Sequence, residues 1–181
     1  MTDDICYHRF LDGDDQGLTE LMERYGNSLT FYIDGYLRDI HEAEDLMIEV
    51  FAYLIAKKPC IRVGCLKAYL YKAARNMALR HKSRLRRCFS LEDWMQELKN
   101  ENLVETVIRT EEQKRILHYC MGQLNQDYRE ALYLIYFEAM SYAQTAEVMG
   151  KNEKQITNIV YRAKQNLRGL LEQEGITSAR Y

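Results

Sequence analysis

The sequence contains few of the residues that interrupt helices. Its 181 residues include one proline and nine glycines. Leu, Ala, Glu, Lys, Arg and Met are plentiful, and these residues favour helix. No tight-turn dipeptide joins two alternating apolar runs, so nothing predicts a β-hairpin. We therefore expect an all-α protein.

Two further absences limit the kinds of site that the chain can carry. The five cysteines are odd in number, and no two have the Cys-x-x-Cys spacing of a zinc site or a redox centre. The sequence also lacks an apolar run of about 18 residues and a basic N-terminus followed by an apolar segment. We expect a cytoplasmic protein with reduced thiols, no cofactor and no membrane span.

Acidic residues are absent from one block of the chain. Residues 57–87 hold 11 basic residues and no acidic one, whereas residues 1–56 hold 13 acidic and three basic residues. The formal net charge of −2 conceals this segregation. The basic block is suited to a polyanion, because each phosphate that it neutralises releases condensed counterions. A solvated basic face is the alternative.

Two amphipathic helices are predicted in the acidic part. Apolar residues recur at three- and four-residue spacing over 15–37, as one helix or a bent pair, and a second helix is predicted over 39–58. Glu42, Asp45 and Glu49 project from the second helix away from its apolar stripe. This row is suited to docking on a basic partner helix, with simple solvation as the alternative. A metal-dependent hydrolase built on the row is a third possibility, but the Glu-x-x-His motifs of di-metal bundles are missing.

A long basic helix is predicted from Leu66, after a loop that follows Pro59. We assign its buried face to Leu66, Tyr69, Leu70, Ala73, Ala74, Met77 and Leu85. Tyr71 is then directed outward among the basic residues. Tyrosines beside Arg and Lys are suited to unpaired bases, which stack on the rings while the cations hold the backbone. A core-edge role for each tyrosine is the alternative.

A helix-turn-helix is predicted from Ser141 to Arg168, beyond an acidic segment at 89–112 that we interpret as a linker. Ser141 and Gln144 can form a capping box, Gly150 can end the first helix, and Asn152 can cap the second. Ile156, Ile159, Val160 and Ala163 share the inner face of the second helix. Its outer face carries groups that can hydrogen-bond base edges or phosphates: Lys154, Gln155, Thr157, Asn158, Tyr161, Arg162 and Lys164. An ordinary helical hairpin is the alternative.

Together these segments resemble the extracytoplasmic-function group of bacterial sigma factors, the two-domain promoter-recognition subunits of RNA polymerase. Residues 43–51 are similar to the family segment that docks on the clamp helices of the polymerase beta-prime subunit. Residues 66–76 are similar to the stretch that opens the promoter and holds the non-template strand of the minus-ten element, with Tyr69 where the family usually has Trp. The turn at 124–129 and the helix-turn-helix resemble the domain that reads the minus-thirty-five element as duplex.

The resemblance implies a non-enzymatic transcription initiation factor. The implied partners are core RNA polymerase, promoter DNA and an anti-sigma factor, the last of which no residue here demonstrates. The implied domains are residues 1–88, a linker at 89–112 in the RNA exit path, and residues 113–181. The implied polymerase contacts are Glu42, Asp45 and Glu49, and the implied minus-ten contacts are Arg62, Lys67, Tyr69, Lys72, Arg75, Asn76 and Arg80. The outer face of the second helix would contact the minus-thirty-five element.

The chain departs from the family pattern at several positions. Asn125 replaces a usual Pro, and Gln144 and Thr145 replace the common Glu-Ile. Thr157 and Ile159 occupy places that are often Lys and Arg. These changes leave the predicted fold intact, but base contacts cannot be inherited from the family. A polymerase-independent helix-turn-helix regulator is the alternative function, although it does not explain the paired acidic and basic blocks.

Overall fold

The computed structural model describes residues 2–88 and 110–174, and all regular structure in these ranges is helical. The helices are α1 (Asp3–Leu11), α2 (Asp15–Leu37), α3 (Ile40–Lys57), α4 (Leu66–Cys88), α5 (Thr110–Gln123), α6 (Gln126–Leu132), α7 (Tyr142–Met149) and α8 (Glu153–Gln173), with a π-helical turn at Tyr133–Phe137. The chain divides into two compact units, Met1–Gln96 and Glu97–Tyr181. The predicted all-α fold with two small helical domains is confirmed.

The first unit is built around α2, which packs against α1, α3 and α4. Asp14 caps α2 by accepting a hydrogen bond from the Gln16 amide, and Asp39 caps α3 by accepting from the amides of His41 and Glu42. α2 is one unbroken helix. The fully buried side chains between α2, α3 and α4 include Leu21, Leu29, Ile33, Phe51, Leu54, Leu66 and Leu70. Burial of such aliphatic and aromatic side chains stabilises a fold by about 1.5–3 kcal/mol each.

The predicted buried face of α4 is wrong on one flank. Among the described side chains of α4, 66–84, the buried ones are Leu66, Ala68, Leu70, Tyr71, Ala74 and Ala78, and the side chain of Leu85 lies outside the described part. Tyr71, which was expected to point outward, is fully buried with its ring centroid 5.0 Å from that of Tyr32, and Tyr69 is only half-buried. Both flanks of the 66–70–74–78 row carry apolar or aromatic residues, so the 3.6-residue period alone did not distinguish them.

Helix α1 was not predicted from the sequence. It lies against α2 at Gly17, where a Cβ atom would be 2.2 Å from the carbonyl oxygen of Cys6. Arg9 forms ion pairs of 2.6 Å with Asp14 and 2.7 Å with Glu20. At the other end of α1, Asp3 pairs with Arg24 and Tyr25 of α2. These contacts fix α1 on the N-terminal half of α2.

The second unit places α8 against α5, α6 and α7. Its buried side chains include Cys120, Ala131, Leu134, Val148, Ile156, Val160 and Ala163. Asn125, at the position where the family usually has Pro, caps α6 by accepting a hydrogen bond of 2.9 Å from the Tyr128 amide. The chain leaves the π-helical turn through Ala139, whose φ of 51° is left-handed.

α5 begins at Thr110, so the last residues of the segment interpreted as a linker are helical. The rest of that segment, 89–109, and the C-terminal residues 175–181 lie outside the described residues. No helix in the described part of the chain has a stretch long and apolar enough to cross a membrane.

Candidate nucleic-acid interface

The carboxylates of α3 form the acidic side of the first unit. Asp45 and Glu49, four residues apart, are exposed on adjacent turns of the same helix face. Glu42, one turn earlier, is half-buried, and its Oε2 lies 3.6 Å from Nδ1 of His81 on α4. Thus two of the three predicted docking residues face solvent, and the third also contacts the basic helix. Among the described residues, no three His, Cys, Asp or Glu side chains form a cluster that could hold a metal ion.

The exposed basic face of α4 lies opposite its buried row. Lys72, Asn76 and Arg80 repeat every four residues and are exposed. They are two residues out of step with the buried 66–70–74–78 row, which places them about 200° around the helix from it. This face carries two cations and an amide on three successive turns, the donors that phosphate oxygens and base edges accept from.

The other α4 candidates flank that face. Arg75 and Tyr69 are half-buried. Burial raises the pKa of Tyr69, as does the nearby Tyr53 on α3. The Lys67 ammonium lies 6.0 Å from the ring centroid of Tyr25 and 5.9 Å from that of Tyr71, so this lysine sits against core aromatic rings. The predicted set is therefore divided between a solvent-facing row and residues at the edge of the core.

The loop between α3 and α4 carries the remaining candidate, Arg62, which is exposed. A turn closed by a hydrogen bond of 3.0 Å from the Cys65 amide to the Arg62 carbonyl follows it. Gly64 takes a φ of 77° in this turn, a conformation that glycine adopts without the steric cost of a side chain. Val63, at the corner, is 77% exposed. The turn therefore presents a cation and an apolar side chain to solvent.

The helix-turn-helix is set by local contacts at both ends of its turn. Ser141 and Gln144 form a capping box on α7, and Asn152 and Gln155 form another on α8. Gly150 ends α7 with a φ of 64°. Ala146, 5% exposed, lies on the buried side of α7 in the unit where α7 packs against α8. The predicted helix-turn-helix and its caps are confirmed.

The seven predicted residues of α8 are all exposed, but three of them also contact other groups of the chain: Gln155 and Thr157 within α8 and its cap, and Lys164 at Tyr136. The Gln155 Oε1 accepts a hydrogen bond of 2.9 Å from the Asn152 amide, and the Thr157 hydroxyl donates one of 2.9 Å to the Glu153 carbonyl. The other four lie close together on the outer face, since they follow at intervals of four, three and one residues: Lys154, Asn158, Tyr161 and Arg162. Ile159, assigned to the inner face, is half-buried.

Lys164 is held by a residue that the sequence analysis did not single out. Its ammonium lies 4.9 Å from the ring centroid of Tyr136, in the π-helical turn. A hydrogen bond with the Tyr136 side chain raises the pKa of Lys164 above its ordinary value. Tyr136 is separated from α8 by α7, so no periodic pattern in the sequence indicates this contact.

Two family models match the chain in separate segments. The model described as Sigma-70 region 2 matches residues 21–88, and that described as Sigma-70, region 4 matches residues 114–167. The first match spans most of α2 and all of α3 and α4, and the second spans α7 and α8 as far as residue 167.

Among known proteins, the chain is similar to the ECF RNA polymerase sigma factor SigM of Bacillus subtilis strain 168. The two are 26% identical over 153 residues, which cover 84% of this chain and 94% of SigM.

Two solved structures have a similar fold. One is CnrH in complex with the cytosolic domain of CnrY, with a TM-score of 0.67, 18% identity, and coverage of 94% of this chain and 97% of CnrH. The other is the sigma factor RpoE in complex with the anti-sigma factor NepR from Bartonella quintana, with a TM-score of 0.67, 22% identity, and coverage of 85% and 96%. The two regional matches, in the order of the two helical units, and the full-length similarity to SigM lead to one conclusion: the chain belongs to the extracytoplasmic-function group of the sigma-70 family and directs RNA polymerase to promoters.

Proposed function

We propose that this sigma factor binds core polymerase with α3 and divides promoter recognition between its two units, residues 1–88 and 113–181, with 89–112 as the connecting linker. The observation that carries the proposal is the separation of charge between consecutive helices. α3 exposes Asp45 and Glu49, whereas α4 exposes Lys72 and Arg80. Since nucleic acid is a polyanion, it is attracted to the α4 face and repelled by the α3 face. Polymerase and DNA would therefore use different faces.

The polymerase contact is assigned to Asp45 and Glu49, supported by Glu42. Exposed carboxylates on adjacent turns can bind a basic helix of a partner and set its register. Glu42 lies beside His81 of α4, so it borders both the docking row and the basic helix. In this proposal the docking site is the clamp-helix region of the beta-prime subunit.

The minus-ten contact is assigned to the exposed row Lys72, Asn76 and Arg80, together with Arg62 of the loop. Tyr69, Arg75 and Lys67 border this surface, and Tyr69 offers a half-exposed ring on which a base could stack. A melted strand is suited to such a surface, because cations hold its phosphates while its unstacked bases meet aromatic and amide groups.

The minus-thirty-five contact is assigned to α8. Arg162 and Lys164 would bind phosphates, and Lys154 and Asn158 would reach base edges. Gln155 and Thr157 are given secondary roles, since their side chains already contact the first turn of α8. Tyr161, 64% exposed, would pack against the backbone of the groove.

An anti-sigma factor is a further proposed partner, because the solved structure of RpoE contains one. α3 exposes Ile48 and Ile55 beside the docking carboxylates, at 54% and 43% exposure. A protein that covered these side chains would also block Asp45 and Glu49. Such an inhibitor would therefore compete directly with polymerase. We assign no catalytic step to this chain.

The docking assignment is tested by charge reversal. A variant with Asp45→Lys and Glu49→Lys is expected to lose co-purification with core RNA polymerase while keeping the wild-type thermal unfolding curve, since both side chains are exposed. The matched control, Asp12→Lys with Glu23→Lys, makes the same change in net charge at exposed positions outside α3. Wild-type core binding by the α3 variant would contradict the assignment.

Recognition by α8 is tested on duplex DNA with the reconstituted holoenzyme. Arg162→Ala is expected to weaken binding to all duplexes by a similar factor, as loss of a phosphate contact does. Asn158→Ala is expected to change which sequences are selected from a randomised duplex pool. The opposite pattern, with altered preference for Arg162→Ala and a uniform loss for Asn158→Ala, would exchange the two roles.

A further inference from the structure

Helix α1 contacts the loop between α3 and α4 at three points. The Gly64 amide donates to both carboxylate oxygens of Asp4, at 3.0 and 3.1 Å. The Tyr7 hydroxyl donates a hydrogen bond of 2.7 Å to the carbonyl of Pro59. The Lys58 ammonium lies 5.1 Å from the ring centroid of Phe10. One short helix therefore holds both the beginning and the end of a loop some 50 residues away.

The three contacting residues share one side of α1. Residues 4, 7 and 10 follow at three-residue intervals, a spacing that brings side chains onto neighbouring positions of a helix surface. Tyr7 and Phe10 are 4% exposed, so their rings are fixed in the core while their outer edges meet the loop. Asp3 attaches α1 to α2 instead, because its carboxylate pairs with Arg24 and Tyr25. α1 is thus attached to α2 by one set of residues and to the loop by another.

The loop needs such support because its conformation is not one that the chain adopts readily. Lys58 has a φ of 40° and Gly64 one of 77°, so the backbone is left-handed at both ends. For a residue with a Cβ atom the left-handed conformation costs about 1–2 kcal/mol. Within the described loop, one hydrogen bond joins two backbone groups, from the Cys65 amide to the Arg62 carbonyl. The contacts to α1 offset this cost.

The burial of Tyr7 also secures its hydrogen bond to the loop. Burial raises the pKa of Tyr7 to about 12, and Tyr69 and Cys60 contribute to the increase. The hydroxyl therefore stays protonated and can donate to Pro59 at any physiological pH.

We propose that α1 is a clamp that holds the 58–65 loop in the shape that presents Arg62 to promoter DNA, with Asp4 and Tyr7 as its positioning residues. This inference rests on the proposed minus-ten role of Arg62. The clamp does not touch DNA. It acts by limiting the conformations of the loop, so that less entropy is lost when Arg62 binds.

The test is a double-mutant cycle in holoenzyme assembled from the full chain and core polymerase. The probe is the labelled single-stranded DNA 20-mer that wild-type holoenzyme enriches most from a randomised pool. The clamp variant combines Asp4→Ala with Tyr7→Phe, which keeps the buried ring. Asp12→Ala is the matched control, because it removes an exposed carboxylate at the C-terminal end of α1 and leaves Asp3, Asp4 and Tyr7 in place.

We expect Arg62→Ala to weaken binding of the 20-mer by at least about fivefold, the lower end for a lost DNA contact. The clamp variant is expected to weaken it by about threefold or more, and to add little when Arg62 is already Ala, because the two changes act through the same contact. Asp12→Ala is expected to bind the probe as the wild type does. Hydrogen exchange at the Gly64 amide should be faster in the clamp variant and unchanged in Asp12→Ala.

Three results would overturn the inference. If Arg62→Ala weakens binding and the clamp variant does not, α1 has no positioning role, while the proposed function of the loop stands. If the two effects multiply in the combined variant, the clamp does not act through Arg62. If Arg62→Ala binds as the wild type does, the proposed DNA contact itself fails and the clamp has nothing to position.

Discussion

Two glycines in α2 are expected to respond in opposite directions to the same substitution. At Gly17, an added Cβ would lie 2.2 Å from the Cys6 carbonyl oxygen and 3.0 Å from the Phe10 amide nitrogen, both backbone atoms of α1. At Gly35, nothing lies within 4 Å of the added atom. Gly35→Ala, at the exposed position, is stabilised by up to about 1 kcal/mol because alanine has the higher helix propensity. Gly17→Ala gains the same propensity, but its added methyl group must displace α1.

The size of the Gly17→Ala effect follows from the contact distance. A comfortable separation of non-bonded heavy atoms is about 3.5 Å, so α1 must move by roughly 1 Å. Overpacking of this kind costs about 1–3 kcal/mol, and the upper end applies because rigid helical backbone forms the wall. After subtraction of the propensity gain, we expect a net destabilisation of about 1–2 kcal/mol. In a unit of this size each kcal/mol corresponds to a Tm change of about 4–8 °C.

Differential scanning calorimetry of the full chain measures both effects. Gly17→Ala is expected to lower the Tm of the first unit by about 5–15 °C, and Gly35→Ala is expected to raise it by a few degrees. Since α1 would be displaced, Gly17→Ala should also speed hydrogen exchange at the Gly64 amide. An increase in Tm for Gly17→Ala would show that α1 does not lie on α2 at this point, and the packing described for the first unit would be wrong.

Three further predictions concern stability. The Thr145 hydroxyl is fully buried and has no hydrogen-bond partner among the described residues, so Thr145→Val, of nearly the same shape, should increase the free energy of unfolding in urea by about 1 kcal/mol. A decrease would imply a partner for the hydroxyl. Ala139→Gly should raise the Tm of the second unit by a few degrees, because relief of the left-handed φ of 51° outweighs the extra entropy of glycine in the unfolded chain; an unchanged or lower Tm would argue against strain at this position. A hydrogen bond from Arg9 lowers the pKa of Asp14 below its ordinary value of 3.8. The stabilisation from the Arg9–Asp14 ion pair is therefore complete above pH 3.8 and is lost as the pH falls through the folded-state pKa of Asp14. Arg9→Gln should therefore flatten the decline of Tm below about pH 4, and an unchanged pH profile would exclude the ion pair as its cause.

Features specified by neighbouring residues were predicted correctly from the sequence. The caps at Ser141 and Asn152 and the left-handed Gly150 depend on side chains within three residues of the atoms they satisfy, and the structure places all of them as expected. The same holds for the loop after Pro59. Such short-range chemistry leaves a readable pattern.

The errors occurred where long-range packing decides between similar local alternatives. On α4, Tyr69 and Tyr71 lie on opposite flanks of the buried row, and it is Tyr71 that packs in the core, where its ring meets that of Tyr32 on α2. α1 was missed because nine residues give a weak periodic pattern and its stabilising contact with Gly17 is a matter of backbone approach. In the sequence, a glycine within a helix indicates lowered helix propensity, whereas Gly17 permits the close approach of two helices.

The candidate site was predicted as a set of residues, but the sequence did not show which of them face solvent and which contact other groups of the chain. All seven candidates on α8 are exposed, yet Gln155 and Thr157 make contacts within the first turns of the helix, and Lys164 is held by Tyr136. The role of Tyr136 depends on the π-helical turn, which no local pattern predicts. The contacts that distinguish the solvent-facing candidates from those held by other groups of the chain were therefore available only from the fold.

The central claim, that this chain directs RNA polymerase to promoters, is tested most directly by run-off transcription. Purified core polymerase would be mixed with the chain and a library of genomic fragments, and transcripts would be mapped by their 5′ ends. We expect discrete start sites that are absent with core polymerase alone and absent with the Asp45→Lys, Glu49→Lys variant. DNA binding by the chain without any gain in specific initiation over core polymerase would contradict the account.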